Sequence, residues 1–114
     1  NFANAHLNLG NILRDLGNLQ EAEVASRKAI EIKPDFADAY SNLGNILMDL
    51  GKLQDAELSI RKAIELKPNF DLAQTGLGGV FIKQGNYVNG IIQLREGNGS
   101  IIFDHYSSTM DIFS

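Results

Sequence analysis

A 34-residue period constrains this chain more than any other feature. Residues 3–36 align with 37–70 without a gap, and 23 of the 34 positions are identical. "NLGNILRDLGNLQEAE" returns as "NLGNILMDLGKLQDAE", and "RKAIEIKPDF" returns as "RKAIELKPNF". Self-similarity at this spacing marks an array of small units, each of which buries its apolar face only against a neighbour.

Within a unit the apolar residues follow a helical period twice. Ala39, Leu43, Ile46, Leu47 and Leu50 predict a first helix over about Phe36 to Leu50. Leu53, Ala56, Ile60, Ala63 and Ile64 predict a second, from about Leu53 to Leu66. Asp35 suits an N-cap, Asp38 places an acid in the first turn, and Gly51 ends the helix. Lys67-Pro68 stops the second helix, because proline disfavours the helical conformation at the residue before it. Glu57 with Arg61, and Glu23 with Arg27, stand one turn apart in the favourable order. Gly44 lies mid-helix, at a cost of roughly 1 kcal/mol relative to alanine. Close approach of the paired helix is the expected compensation, with Ala56 opposite; Gly10 and Ala22 repeat the arrangement.

Leu43, Gly44, Ala56, Ala63 and Pro68, and likewise Leu9, Gly10, Ala22, Ala29 and Pro34, resemble the signature of the tetratricopeptide repeat family in identity and spacing. Tyr40 stands at the family's preferred aromatic position, which His6 occupies in the first unit. The resemblance implies an all-α fold, an α-α superhelix of helix-turn-helix hairpins, with protein binding as its usual role. It divides the chain into residues 1–2 (the end of a preceding repeat or an N-terminal cap), repeats at 3–36 and 37–70, and an eroded third repeat at 71–97. Only Ala73, Leu77, Gly78, Gly85 and Arg95 keep the second unit's residues there. A helix over about Tyr87 to Glu96 is expected, weakened by Gly90. Residues 98–114 read as a C-terminal cap or the start of a second, truncated domain, with short strands at Ser100–Phe103 and Met110–Phe113. The chain opens on Asn1, so an excised fragment or a processed product is expected.

In the family the first helices line a concave groove that is the usual ligand surface. By register the first unit presents Asn4, Leu7, Asn8, Asn11, Arg14 and Asp15 there, and the second presents Asp38, Ser41, Asn42, Asn45, Met48 and Asp49. Asn8 and Asn11 are one turn apart, and Asn42 and Asn45 repeat them. An amide donates and accepts, so such a series can pair with the backbone of an extended peptide whatever its sequence. It resembles the asparagine ladder of O-GlcNAc transferases, cut to two rungs because Gly76 and Gly79 replace the third. These asparagines equally suit caps or bridges between neighbouring repeats, or a pattern simply carried along by duplication. Arg14 alone among acids does not make the carboxylate clamp of the family's chaperone-binding members, and a neutral or basic peptide suits the groove better. Phe36 and Phe70 are expected to flank the groove or pack between hairpins.

The remaining chemistry is sparse. The 114 residues carry a net charge of −4, and the basic residues of the second helices alternate with Glu23, Glu31, Glu57 and Glu65, which argues against a nucleic-acid partner. No apolar run approaches a membrane span, and there is no cysteine for a thiolate site or nucleophile. His6 reads as a packing residue. His105 with Asp104 and Asp111 follows no metal-ligand spacing, and Asn98-Gly99-Ser100 reads as a turn that happens to match a glycosylation acceptor. No enzyme activity, metal or cofactor is expected, and a cytoplasmic location is. The leading expectation is a protein-interaction scaffold. Self-association through repeat ends or the tail is one alternative, and the substrate-recruiting arm of a larger enzyme is another.

Overall fold

In a computed structural model, which describes residues 1–98, six helices follow one another: α1 (Phe2–Asp15), α2 (Leu19–Ile32), α3 (Ala37–Asp49), α4 (Leu53–Leu66), α5 (Asp71–Lys83) and α6 (Tyr87–Asn98). The expected tail strands lie outside the described residues.

The hairpin turn is the same device three times. Gly17, Gly51 and Gly85 hold φ of +83°, +83° and +84°, a left-handed conformation that costs a side-chain-bearing residue energy. The Gly51 N–H donates to Met48 O at 3.0 Å and the Lys52 N–H to Leu47 O at 2.9 Å, which satisfies carbonyls the helix end would leave open. The links between hairpins also repeat. Lys33 and Lys67, each before a proline, are extended at φ −133° and −143° and end α2 and α4.

The helix starts differ from expectation. The N-cap residues of α3 and α5 are Phe36 and Phe70, with no side-chain cap bond, so Asp35 is not a cap. Phe36 is buried with Ala3, Ala29 and Ala39, and this anchoring sets where the helix begins. Phe70 likewise packs on the core cluster formed by α3, α4 and α5, so both rings lie between hairpins. A capping bond does occur at α1, where the Asn4 N–H donates to Asn1 Oδ1 at 2.9 Å.

Glycines set the spacing within hairpins. A Cβ on Gly44 would lie 2.3 Å from Ile60 Cγ1 and 3.2 Å from Ala56 O, so Ile60 rather than Ala56 is the side chain that fills the notch. In the third hairpin a Cβ on Gly78 would meet Gly90 O at 2.9 Å, and one on Gly90 would meet Gly78 O at 3.0 Å. Gly90 is therefore a crossing point between α5 and α6, and the helix runs through it.

Each hairpin packs its second helix on the next hairpin's first, α2 on α3 and α4 on α5. The first helices also touch in series, α1 with α3 and α3 with α5, whereas the second helices stand further apart. A stack closer on one side curves toward that side, so α1, α3 and α5 form the concave inner row. The second hairpin is more buried than the first. Phe2, Leu9 and Ile12 are 78%, 45% and 55% exposed, against 7%, 2% and 0% for Phe36, Leu43 and Ile46 one period later. The molecule extends 50 × 25 × 20 Å, and no helix among the described residues is long and apolar enough to cross a membrane.

Candidate peptide-binding groove

Two cross-links tie the first helices together in the inner row. Asn42 donates through Nδ2 to Asn11 Oδ1, linking α3 to α1. Arg14 Nε donates to Asp49 Oδ2 at 2.7 Å, linking the same helices again, about one turn further along α1 and two turns along α3. Of the expected groove residues, these four are brought into direct contact, and in each link the two partners come from different repeats.

The next interval lacks both links. One period after Asn11 and Asn42 stand Asn45 and Gly76, and one period after Arg14 and Asp49 stand Met48 and Lys83. Asn45 is half-buried, and a Cβ on Gly76 would sit 3.2 Å from its Oδ1. Met48 is half-buried on the core, with its sulfur 3.7 Å from where a Cβ on Gly79 would be. The missing rung is thus a bare strip of α5 backbone beside an amide that makes no hydrogen bond to the described residues.

Asn4, Asn8 and Asp15 are exposed on α1. Asp38 is exposed at the start of α3 with Nζ of Lys67, the residue that ends α4, 3.9 Å away. Leu7 and Ser41 were expected in the groove and are not there. Ser41 is 2% exposed with an unsatisfied hydroxyl, and Leu7 packs on the Ala3–Ala29–Phe36–Ala39 cluster. The two share one position in the period, which points into the helix–helix interface. Lys83, exposed at the end of α5, was missed; it places a cation one period beyond Asp49, and the repeat alignment alone could have found it.

On the outer helices the ion pairs are mostly local, with Glu23 to Lys52 as the link between hairpins. Arg27 Nε meets Glu23 Oε2 and Arg61 Nε meets Glu57 Oε2, both at 2.9 Å, as the i,i+4 spacing predicts. Lys33 and Lys67 lie over the rings of Phe36 and Phe70 at 4.8 and 4.4 Å from the centroids.

This geometry of tied first helices on glycine-ended hairpins agrees with comparisons to known proteins. A family model described as "TPR repeat" matches residues 10–51, and one described as "Tetratricopeptide repeat" matches 37–70. The chain belongs to the tetratricopeptide repeat family. No curated protein sequence matches it. Among solved structures, two crystal structures of MamA superpose with TM-scores of 0.75 at 26% identity over 83% of this chain. The Thermobaculum terrenum O-GlcNAc transferase mutant K341M superposes with a TM-score of 0.80 at 25% identity over 84% of it. The chain spans 56% and 52% of the two MamA chains and 18% of the transferase chain. These repeats make the chain a protein-interaction scaffold with a tetratricopeptide solenoid fold.

Proposed function

We propose that the inner row binds an extended segment of a partner polypeptide, neutral or basic in charge, through side-chain amides. Asn45 carries the reading. Its predecessor in the ladder, Asn11, is engaged by Asn42 of the next repeat, whereas the place of its own partner is taken by Gly76. A half-buried amide next to a strip of bare helix backbone gains by pairing with a ligand that reaches it, because a polar group partly withdrawn from water costs free energy until it is bonded. Asn8, exposed on α1, offers the same group one repeat and one turn away. The charge preference rests on α1 and α3, where Arg14 is neutralised by Asp49 and Asp38 is shared with Lys67, leaving the exposed Asp15 to set the local sign, with Lys83 further along on α5.

The test is fluorescence anisotropy of labelled ten-residue peptides, unstructured and varied in charge. Neutral and basic peptides are expected to bind, and Asn45→Ala is expected to weaken them by roughly 2- to 10-fold, the worth of one hydrogen bond. Equal binding by wild type and Asn45→Ala, or a preference for acidic peptides, refutes the amide track.

A second reading rests on the exposed stripe of Phe2, Leu9 and Ile12 on α1 with Leu16 at its C-cap. It takes the chain as a self-associating module that stacks end to end. Sedimentation of Ile12→Asp against wild type decides it, since a wild type that stays monomeric with rising concentration leaves nothing for the substitution to disrupt. The third reading, the recruiting arm of a larger enzyme, draws on the 18% of the transferase chain that this chain spans, and a parent reading frame without a catalytic domain ends it.

A further inference from the structure

Between α4, α5 and α6 lies a solvent-open cavity of about 320 Å³, near the lower end of the volumes typical of small-molecule pockets. Its walls are Arg61, Ile64 and Glu65 of α4, Gln74 and Leu77 of α5, and Gln93 of α6. None of these residues belongs to the candidate groove.

Moving back one period explains why the space is there. Arg27, Ile30, Glu31 and Leu43 reproduce four of the six walls with the same residue types. The other two differ: Gln74 stands where the preceding repeat has Tyr40, and Gln93 where it has Ser59. Tyr40 is half-buried and packs, with Ile30, on the hydrophobic core. Gln74 does not replace that ring. It has no aromatic body, and its amide is drawn to the link between hairpins, where Nε2 donates to Pro68 O at 3.1 Å.

The walls suit what is missing. Ile64 and Leu77 supply apolar surface for the faces of a ring. The Arg61 guanidinium already lies 5.5 Å from the Phe81 ring centroid while its Nε is paired with Glu57, so it is held where a planar cation can meet aromatic groups. Glu65, whose carboxylate is 71% exposed and only loosely engaged by Lys62 Nζ at 3.5 Å, can accept a hydroxyl hydrogen bond.

We propose that this cavity binds one para-substituted phenol ring, the side chain of a tyrosine on a partner polypeptide, in the place Tyr40 holds one repeat earlier.

The test uses methyl NMR of the full chain with p-cresol, 4-methylcyclohexanol and N-acetyltyrosinamide as probes. p-Cresol is expected to shift the Ile64 and Leu77 methyl signals saturably and to bind about tenfold more tightly than the saturated alcohol. N-acetyltyrosinamide is expected to shift the same signals. Gln74→Tyr, which fills the cavity from within, is expected to abolish both responses and to raise the thermal midpoint. Gln93→Phe fills it from α6 and serves if the first variant does not fold. No saturable shift at Ile64 and Leu77, or shifts that persist in a folded filled variant, overturns the site. Binding of p-cresol without N-acetyltyrosinamide overturns the assignment to a polypeptide side chain.

Discussion

Glu23 lies between two cations from different hairpins. Its carboxylate, 17% exposed, accepts from Arg27 Nε at 2.9 Å within α2 and from Lys52 Nζ at 3.3 Å, at the start of α4. Burial raises its pKa, but the hydrogen bonds and charges of Arg27 and Lys52 outweigh burial and hold it below the ordinary glutamate value. A carboxyl lowered in the folded state stabilises the fold above its unfolded-state pKa, and that contribution is lost as pH falls through the folded-state value. Glu23→Gln is therefore expected to narrow the gap in urea midpoint between neutral and acidic buffer, as chemical denaturation at the two pH values will read. An unchanged gap refutes the brace. Asn11 and Asn42 show what the sequence concealed at this scale. Their amides were legible as a series, and bridging was one of several open readings, but which partner each one takes depends on the offset between α1 and α3, which a period does not encode.

The elements were legible almost to the residue wherever the chain carries its own punctuation. The glycine turns and Lys-Pro stops bound α2, α3 and α4 because each acts through the local backbone. Features settled by a neighbouring helix were not legible. Asp35 looked like a cap, yet burial of Phe36 fixes the start of α3 one residue later. Gly90 read as a weak point because its role lies on α5, at Gly78. Ser41 was placed in the groove because projecting a helix from sequence leaves its rotation uncertain by about one position. The notch at Gly44 gives an element-scale prediction. Gly44→Ala forces a Cβ against Ile60 Cγ1 and is expected to cost roughly 1–3 kcal/mol by overpacking. Ile60→Ala alone is expected to cost roughly 2–5 kcal/mol. In the double variant the added methyl enters the space that Ile60 vacates, so the combined loss should fall short of the sum. Urea unfolding of all four proteins measures this, and strict additivity removes the notch as the reason for glycine.

Across the whole molecule, contacts run only between neighbours, so stability need not be uniform. The core cluster spans α3, α4 and α5, whereas α1 leaves Phe2, Leu9 and Ile12 to solvent. Native-state hydrogen exchange is expected to rank the amides accordingly, with α1 opening first and α3 to α5 last. Equal protection in α1 and α4 would mean that the array unfolds as one cooperative unit. A family-level fold was readable at this scale because two near-copies fix the interfaces. The cavity by α6 required the third repeat to be seen folded, since only there does replacement of Tyr40 by Gln74 become a volume.

The two Lys-Pro links have a mechanical consequence. The glycine turns hold each hairpin at nearly one shape, so the winding of the superhelix is set mainly between hairpins, at the extended lysines with ψ of 88° and 84°. Proline fixes its own φ and restricts the residue before it, making each link a stiff joint. The array therefore behaves as a coil whose pitch is tuned at two points, and the spacing it offers along the inner row is a property of those joints as much as of the asparagines they position.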